Sequence, residues 1–147
     1  MAQIERWSEV VWEGSLTAGS GVIAHSSSGA IHDLPVTFAA RVEAPEGKTS
    51  PEELLAAAHA VCYAMVISNI LNKQGTPPEQ LTVKATCTLS RGDAGLTIEA
   101  MHLDLTGRAA GVDEAALQAV AEEGKTACPV SRALANNVRI TVSAHAG

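Results

Sequence analysis

Cys62, Cys87 and Cys128 are the side chains in this sequence best suited to covalent chemistry. Cys128 lies in Ala127-Cys128-Pro129-Val130-Ser131-Arg132-Ala133-Leu134. Pro129 fits the first position of a helix, which makes Cys128 the N-cap. A thiolate there is expected to face unpaired backbone N–H groups and the positive end of the helix dipole, which lowers its pKa. Cys62 lies within a long apolar run that opens at Leu54. Burial there raises a thiol's pKa and leaves it inert unless a cation lies close, so activation calls for an arginine from elsewhere in the fold. Cys87 falls on the apolar face of an alternating segment and reads as packing. Two helix-borne cysteines suggest a two-cysteine redox site, in which one thiol is oxidised and the other resolves it. The plain alternative is that all three are small buried residues without reactivity.

The other candidate chemistries are weaker. His59 precedes Cys62 by three residues and shares its helix face. A metal site built from these two and Cys128 lacks a nameable fourth ligand, and a buried, hydrogen-bonded histidine is the simpler reading. There is no Cys-x-x-Cys, so neither a thioredoxin-type motif nor a zinc ribbon is expected. No cofactor is called for. The net charge of −6, with no cluster of Lys and Arg, argues against nucleic acid. The start, Met1-Ala2-Gln3-Ile4-Glu5-Arg6-Trp7, has neither a basic nor an apolar stretch of the secretory kind. Residues 54–71 come closest to a membrane span, but His59, Tyr63, Ser68 and Asn69 interrupt them. A buried helix and a cytoplasmic protein are expected. Three cysteines there do not suggest a disulfide framework.

The elements that must position these residues follow from pattern. A chain of 147 residues suits one domain, 1–147. Only 3% of it is aromatic, so Ala, Val, Leu and Ile must build the core. The first forty-odd residues read as β, with a hairpin turning at Ser26-Ser27-Ser28-Gly29 and a loop at Ala44–Thr49. Ser50 as N-cap, Pro51 at the first helical position and Glu53 completing a capping box start a helix that runs to about Lys73. It is apolar all round, hence buried all round, which a chain this short achieves against another subunit. Leu81–Leu89 alternates as a half-buried strand, Arg91–Gly95 turns, and the next strand changes phase near residue 100, as a β-bulge would produce. A helix over 113–123, a short helix after Cys128 and a strand over 138–142 complete the chain. The class is α+β with antiparallel sheet.

Taken together, Ser50-Pro51-Glu52-Glu53-Leu54, Ala57-Ala58-His59-Ala60-Val61-Cys62 and Cys128-Pro129-Val130-Ser131-Arg132-Ala133-Leu134 resemble the osmotically inducible protein C / organic hydroperoxide resistance (OsmC/Ohr) family. His59 before the first cysteine is similar to the OsmC branch. The resemblance implies an OsmC-like fold: an intertwined homodimer with antiparallel sheets, two long helices packed at its centre and active sites at the subunit interface. It implies a thiol peroxidase of stress defence that reduces organic hydroperoxides and, less well, hydrogen peroxide. Cys62 takes the peroxidatic role and Cys128 the resolving one. An external dithiol, including lipoyl groups on proteins, regenerates the enzyme. The family's thiolate-holding arginine matches Arg41, with Arg132 and Arg139 as alternatives, and its orienting glutamate matches Glu52. Glu52 lies roughly 15 Å along the helix from Cys62 at about 1.5 Å per residue, so it reaches that cysteine only from a partner subunit. A different role for the same fold is binding a small apolar ligand, with Cys62 oxidation serving only as a signal.

Overall fold

A computed structural model describes residues 2–147. Contacts divide the chain into two compact units, one ending at Leu54 and the other spanning Leu55–Gly147.

The first unit is a three-stranded antiparallel sheet in the order β1 (Ser8–Glu13), β2 (Ser20–Ser26), β3 (His32–Val36). The turn expected at Ser26–Gly29 joins β2 to β3, and Gly29 there takes a positive φ of 75°. A short helix α1 (Phe38–Val42) then interrupts what the sequence presents as β. Thr37 starts it, its hydroxyl accepting from the Ala40 N–H at 3.1 Å. Five residues are too few to show helical periodicity, so only that cap announces the helix.

The second unit is built around helix α2 (Pro51–Lys73), which begins in the first. Its start follows the expected signals in part. Ser50 Oγ accepts from the Glu53 N–H at 3.2 Å, but the Glu53 carboxylate accepts from Thr49 Oγ1 at 2.9 Å. The reciprocal half of the capping box thus gives way to a neighbouring hydroxyl. β4 (Pro78–Gly92) and β5 (Gly95–Ala109) form a long hairpin. Thr88 pairs with Ala100 and Leu89 with Ile98, leaving Glu99 as the extra residue of the bulge expected from the phase change. Past it, Met101, Leu103 and Leu105 face the core.

α3 (Glu114–Ala127), α4 (Pro129–Leu134) and β6 (Arg139–Ala146) complete the unit. Asp113 caps α3, accepting from the Ala116 N–H at 2.8 Å. β6 joins β5 in parallel, so the expected antiparallel sheet is mixed at this edge. The two helices between these strands supply the crossover that a parallel pairing requires. Tyr63, Ile67 and Leu71 of α2 form one fully buried cluster with Met101, Leu103, Leu105 and Leu117. α2 is long and apolar enough to cross a membrane by length and composition, yet these side chains make it the core helix of its unit. Its opposite face is open in the single chain, with Val61 56% and Met65 68% exposed.

Candidate active site

Cys62 and Cys128, 66 residues apart in sequence, meet in the second unit with their sulfurs 3.2 Å apart. Both are thiols, since a disulfide would bring the sulfurs to about 2.05 Å. Cys62 is partly accessible, whereas Cys128 is fully buried. The chain turns at Cys128, which ends α3 and begins α4. Its N–H donates to the Gly124 carbonyl and its carbonyl accepts from the Arg132 N–H, both at 2.9 Å. Two helices therefore fix its backbone.

The start of α4 serves the other cysteine than the one expected. The Cys128 side chain makes no capping hydrogen bond. Instead the Val130 N–H, one of the first-turn donors that no helical carbonyl pairs, favours the charged form of the Cys62 sulfur. Burial pushes the Cys62 thiol up, the Val130 N–H opposes it, and the neighbouring Cys128 adds to the rise. Within its own unit, then, Cys62 is held toward the neutral thiol. Cys87, on β4, packs partly buried against the core.

Around the two sulfurs stand buried polar groups. His59 Nε2 lies 2.7 Å from Ser131 Oγ, joining α2 to α4. Tyr63 donates to the Ala121 carbonyl at 2.8 Å, joining α2 to α3. The α2–α3 contact is close: a Cβ on Gly124 would run into the Ile67 Cδ1. Among the described residues no group of three or more His, Cys, Asp or Glu side chains is arranged to hold a metal ion.

The first unit holds the other two expected residues together. Arg41, in the last turn of α1, donates from Nε to both Glu52 oxygens at 3.0 and 3.2 Å and from Nη2 to Oε1 at 2.6 Å. Burial alone would push the Glu52 carboxyl up. The Arg41 hydrogen bonds and charge, with its own backbone N–H and Ser50, outweigh that and hold it below the usual range. Of the alternatives, Arg132 lies in the last turn of α4 and Arg139 is exposed at the start of β6, both in the second unit.

The sequence did not single out Val130, Ser131 or Tyr63. Two signals were available. Pro129 marks the first turn of a helix, whose N–H groups lack helical partners, and Ser131 follows Cys128 at the spacing by which His59 precedes Cys62.

The chain belongs to the OsmC-like protein family, whose model matches residues 44–143. It is 33% identical over 131 residues to "Peroxiredoxin OsmC" of Escherichia coli (strain K12), spanning 89% of this chain and 90% of that protein. The same figures hold for the protein of that name from Shigella flexneri. These relatives fall in the OsmC branch that His59 suggested. Among solved structures, an OsmC-like protein of unknown function from Vibrio cholerae superposes with a TM-score of 0.72 at 17% identity, covering 97% of this chain and 99% of the other. The organic hydroperoxide resistance protein OhrB of Bacillus subtilis gives 0.68 at 20% identity, covering 94% and 97%. The fold is accordingly the OsmC/Ohr fold.

Proposed function

We propose that this protein is a thiol-dependent peroxidase that reduces organic hydroperoxides. One observation carries the reading: Cys62 and Cys128 are reduced and 3.2 Å apart, one partly accessible and one buried. The names of the relatives, a peroxiredoxin and organic hydroperoxide resistance proteins, agree with it.

In this reading the accessible Cys62 is the peroxidatic residue. Its thiolate attacks the distal peroxide oxygen, the O–O bond breaks, and the alkoxide takes a proton from solvent and leaves as the alcohol. Cys62 is left as a sulfenic acid. The Cys128 sulfur then attacks the Cys62 sulfur, the S–O bond breaks, and the Cys128 proton leaves with the hydroxyl as water. An external dithiol, of which a protein lipoyl group is one kind, reduces the disulfide. The apolar surroundings favour peroxides with organic tails. A cytoplasmic setting, where dithiols are kept reduced, suits such a cycle.

Arg41 and Glu52 complete the site from the second subunit of a homodimer. The open apolar face of α2, with Val61 and Met65, supports that assembly. Arg41 there supplies the positive charge that Cys62 lacks in its own unit, and Glu52 fixes the guanidinium.

The test is consumption of cumene hydroperoxide against hydrogen peroxide, with excess dithiothreitol, for wild type, Cys62→Ser and Cys128→Ser. Loss of turnover in Cys62→Ser, with the organic substrate preferred, is expected. Full turnover by Cys62→Ser would refute the assignment.

A further inference from the structure

The peroxidase cycle leaves one buried polar pair unused. His59 stands one turn before Cys62 on α2, and Ser131 one turn after Cys128 on α4. The two cysteines touch, and their two polar neighbours touch as well, with His59 Nε2 2.7 Å from Ser131 Oγ. The helices therefore carry two bridges, paired in antiparallel sense: 62 with 128, and 59 with 131. His59 is 0% exposed and Ser131 2%, so water does not compete for this hydrogen bond.

The protonation state of His59 decides what the pair can do. Its Nδ1 is buried without a hydrogen-bond partner among the described residues. An imidazolium would place a proton on that atom and leave a buried donor unanswered, and so would the neutral Nδ1–H tautomer. The ring is thus neutral, with Nε2–H donating to Ser131 Oγ, and burial lowers its pKa accordingly. A neutral ring offers no positive charge to a thiolate at Cys62. What remains for the pair is geometry.

We infer that the His59–Ser131 hydrogen bond is a positioning clamp for the resolving step: it holds α4 against α2 one turn from the cysteines and keeps the two sulfurs in contact before oxidation. The inference rests on the peroxidase reading for its reaction and adds residues that govern one half of the cycle. Disulfide closure needs the sulfurs to approach from 3.2 Å to about 2.05 Å. α4 has six residues, too few to hold its place by helical stability, and the Cys128 side chain does not cap it. Val130 and Leu134 press it to the core, but apolar contact alone does not fix its rotation and register as a buried hydrogen bond does. Keeping the reacting atoms together raises the effective concentration of Cys128 at the sulfenic acid. Attack of Cys62 on peroxide needs no approach of the two sulfurs, so the clamp bears on it only through the Val130 N–H that α4 presents to Cys62.

Ser131→Ala and His59→Phe remove the bond from either side. His59→Gln restores a donor near the position of Nε2. Sulfenic acid formation and disulfide closure are timed separately with cumene hydroperoxide, the intermediate being trapped with dimedone. The Cys62–Cys128 equilibrium is also measured in a dithiothreitol redox buffer, without peroxide. Both removal variants are expected to slow closure about tenfold, the scale of one lost buried hydrogen bond, and to slow sulfenic acid formation clearly less, through the Val130 N–H alone. They should shift the redox equilibrium toward the dithiol by a similar factor, and His59→Gln should return both toward wild type. Wild-type closure and equilibrium in the removal variants would overturn the clamp, as would equal slowing of both steps. If wild type does not consume hydroperoxide, the peroxidase reading fails, and the redox equilibrium still decides the clamp. If His59→Phe does not fold, Ser131→Ala, which deletes one oxygen, decides alone.

Discussion

Replacing Glu52 with Gln keeps the size of the side chain and removes its charge. The carboxylate accepts three hydrogen bonds from Arg41, the shortest 2.6 Å. The Glu52 side chain is 10% exposed and that of Arg41 29%. A hydrogen bond to a charged group contributes about 1.5–3 kcal/mol net. Breaking a fully buried pair costs about 3–5 kcal/mol, but Arg41 reaches water and recovers part of that, so a coupling of about 1–2 kcal/mol is expected. A double-mutant cycle of Glu52→Gln and Arg41→Met, by urea unfolding at fixed protein concentration, isolates it. The acid limb gives a second check. The folded carboxyl titrates below its unfolded value, so its contribution is complete above about pH 4.3 and is lost as pH falls through the folded value. Glu52→Gln should flatten that limb. In turnover, each single variant should lower kcat/KM and the double variant should do no worse. A coupling below about 0.5 kcal/mol, or an unchanged acid limb, would refute the argument.

Gly124→Ala should destabilise the protein by about 1–3 kcal/mol in denaturant melts, because the new methyl meets the buried Ile67 side chain and α3 must move off α2. His59 is neutral when folded and protonated when unfolded below about pH 6.5, so stability should fall as pH drops below that value, by up to about 1.4 kcal/mol per unit. His59→Gln should remove that part of the slope in unfolding experiments at stepped pH. Met65→Asp, on the open apolar face of α2, should shift sedimentation velocity from dimer to monomer; an unchanged boundary would place the interface elsewhere.

What the sequence disclosed depended on how local each signal is. Ser50 and Pro51 sit at the start of α2, and the cap, the proline and the apolar run lie within one stretch of chain, so the helix was legible to within a residue. The bulge at Glu99 was legible because a bulge exchanges the two faces of a strand. The parallel placement of β6 was not, since alternation over Val138–Val142 is the same whichever way the strand runs. α1 was missed because five residues complete little more than one turn. The two cysteines were legible from residue type and motif, and the Arg41–Glu52 ion pair followed from the family resemblance. The target of the α4 N–H groups was not legible. Cap logic assigns them to the residue that caps, but the Cys128 side chain turns to Cys62, and the Val130 N–H follows it there. That choice depends on where α2 passes, a fact of tertiary packing.

The state of Cys62 links these findings to turnover. Burial and the neighbouring thiol favour its neutral form, and within its own unit the Val130 N–H is what opposes them. A peroxidatic cysteine must be a thiolate at working pH, so the site requires positive charge from another element. His59, being neutral, does not provide it, and Arg41 held by Glu52 is the source proposed above. The rate of iodoacetamide alkylation of Cys62 in a Cys87→Ala, Cys128→Ser background reads the thiolate directly. With Arg41 intact the midpoint should lie below about 8.5, the value of an isolated thiol, and Arg41→Met should carry it above that value. Because the arginine comes from the partner subunit in this reading, dilution to monomer should move the intact protein's midpoint in the same direction. A midpoint indifferent to Arg41 would exclude that arginine as the activating charge. A midpoint that responds to Arg41 but not to dilution would place the arginine in the same chain as the thiol it serves.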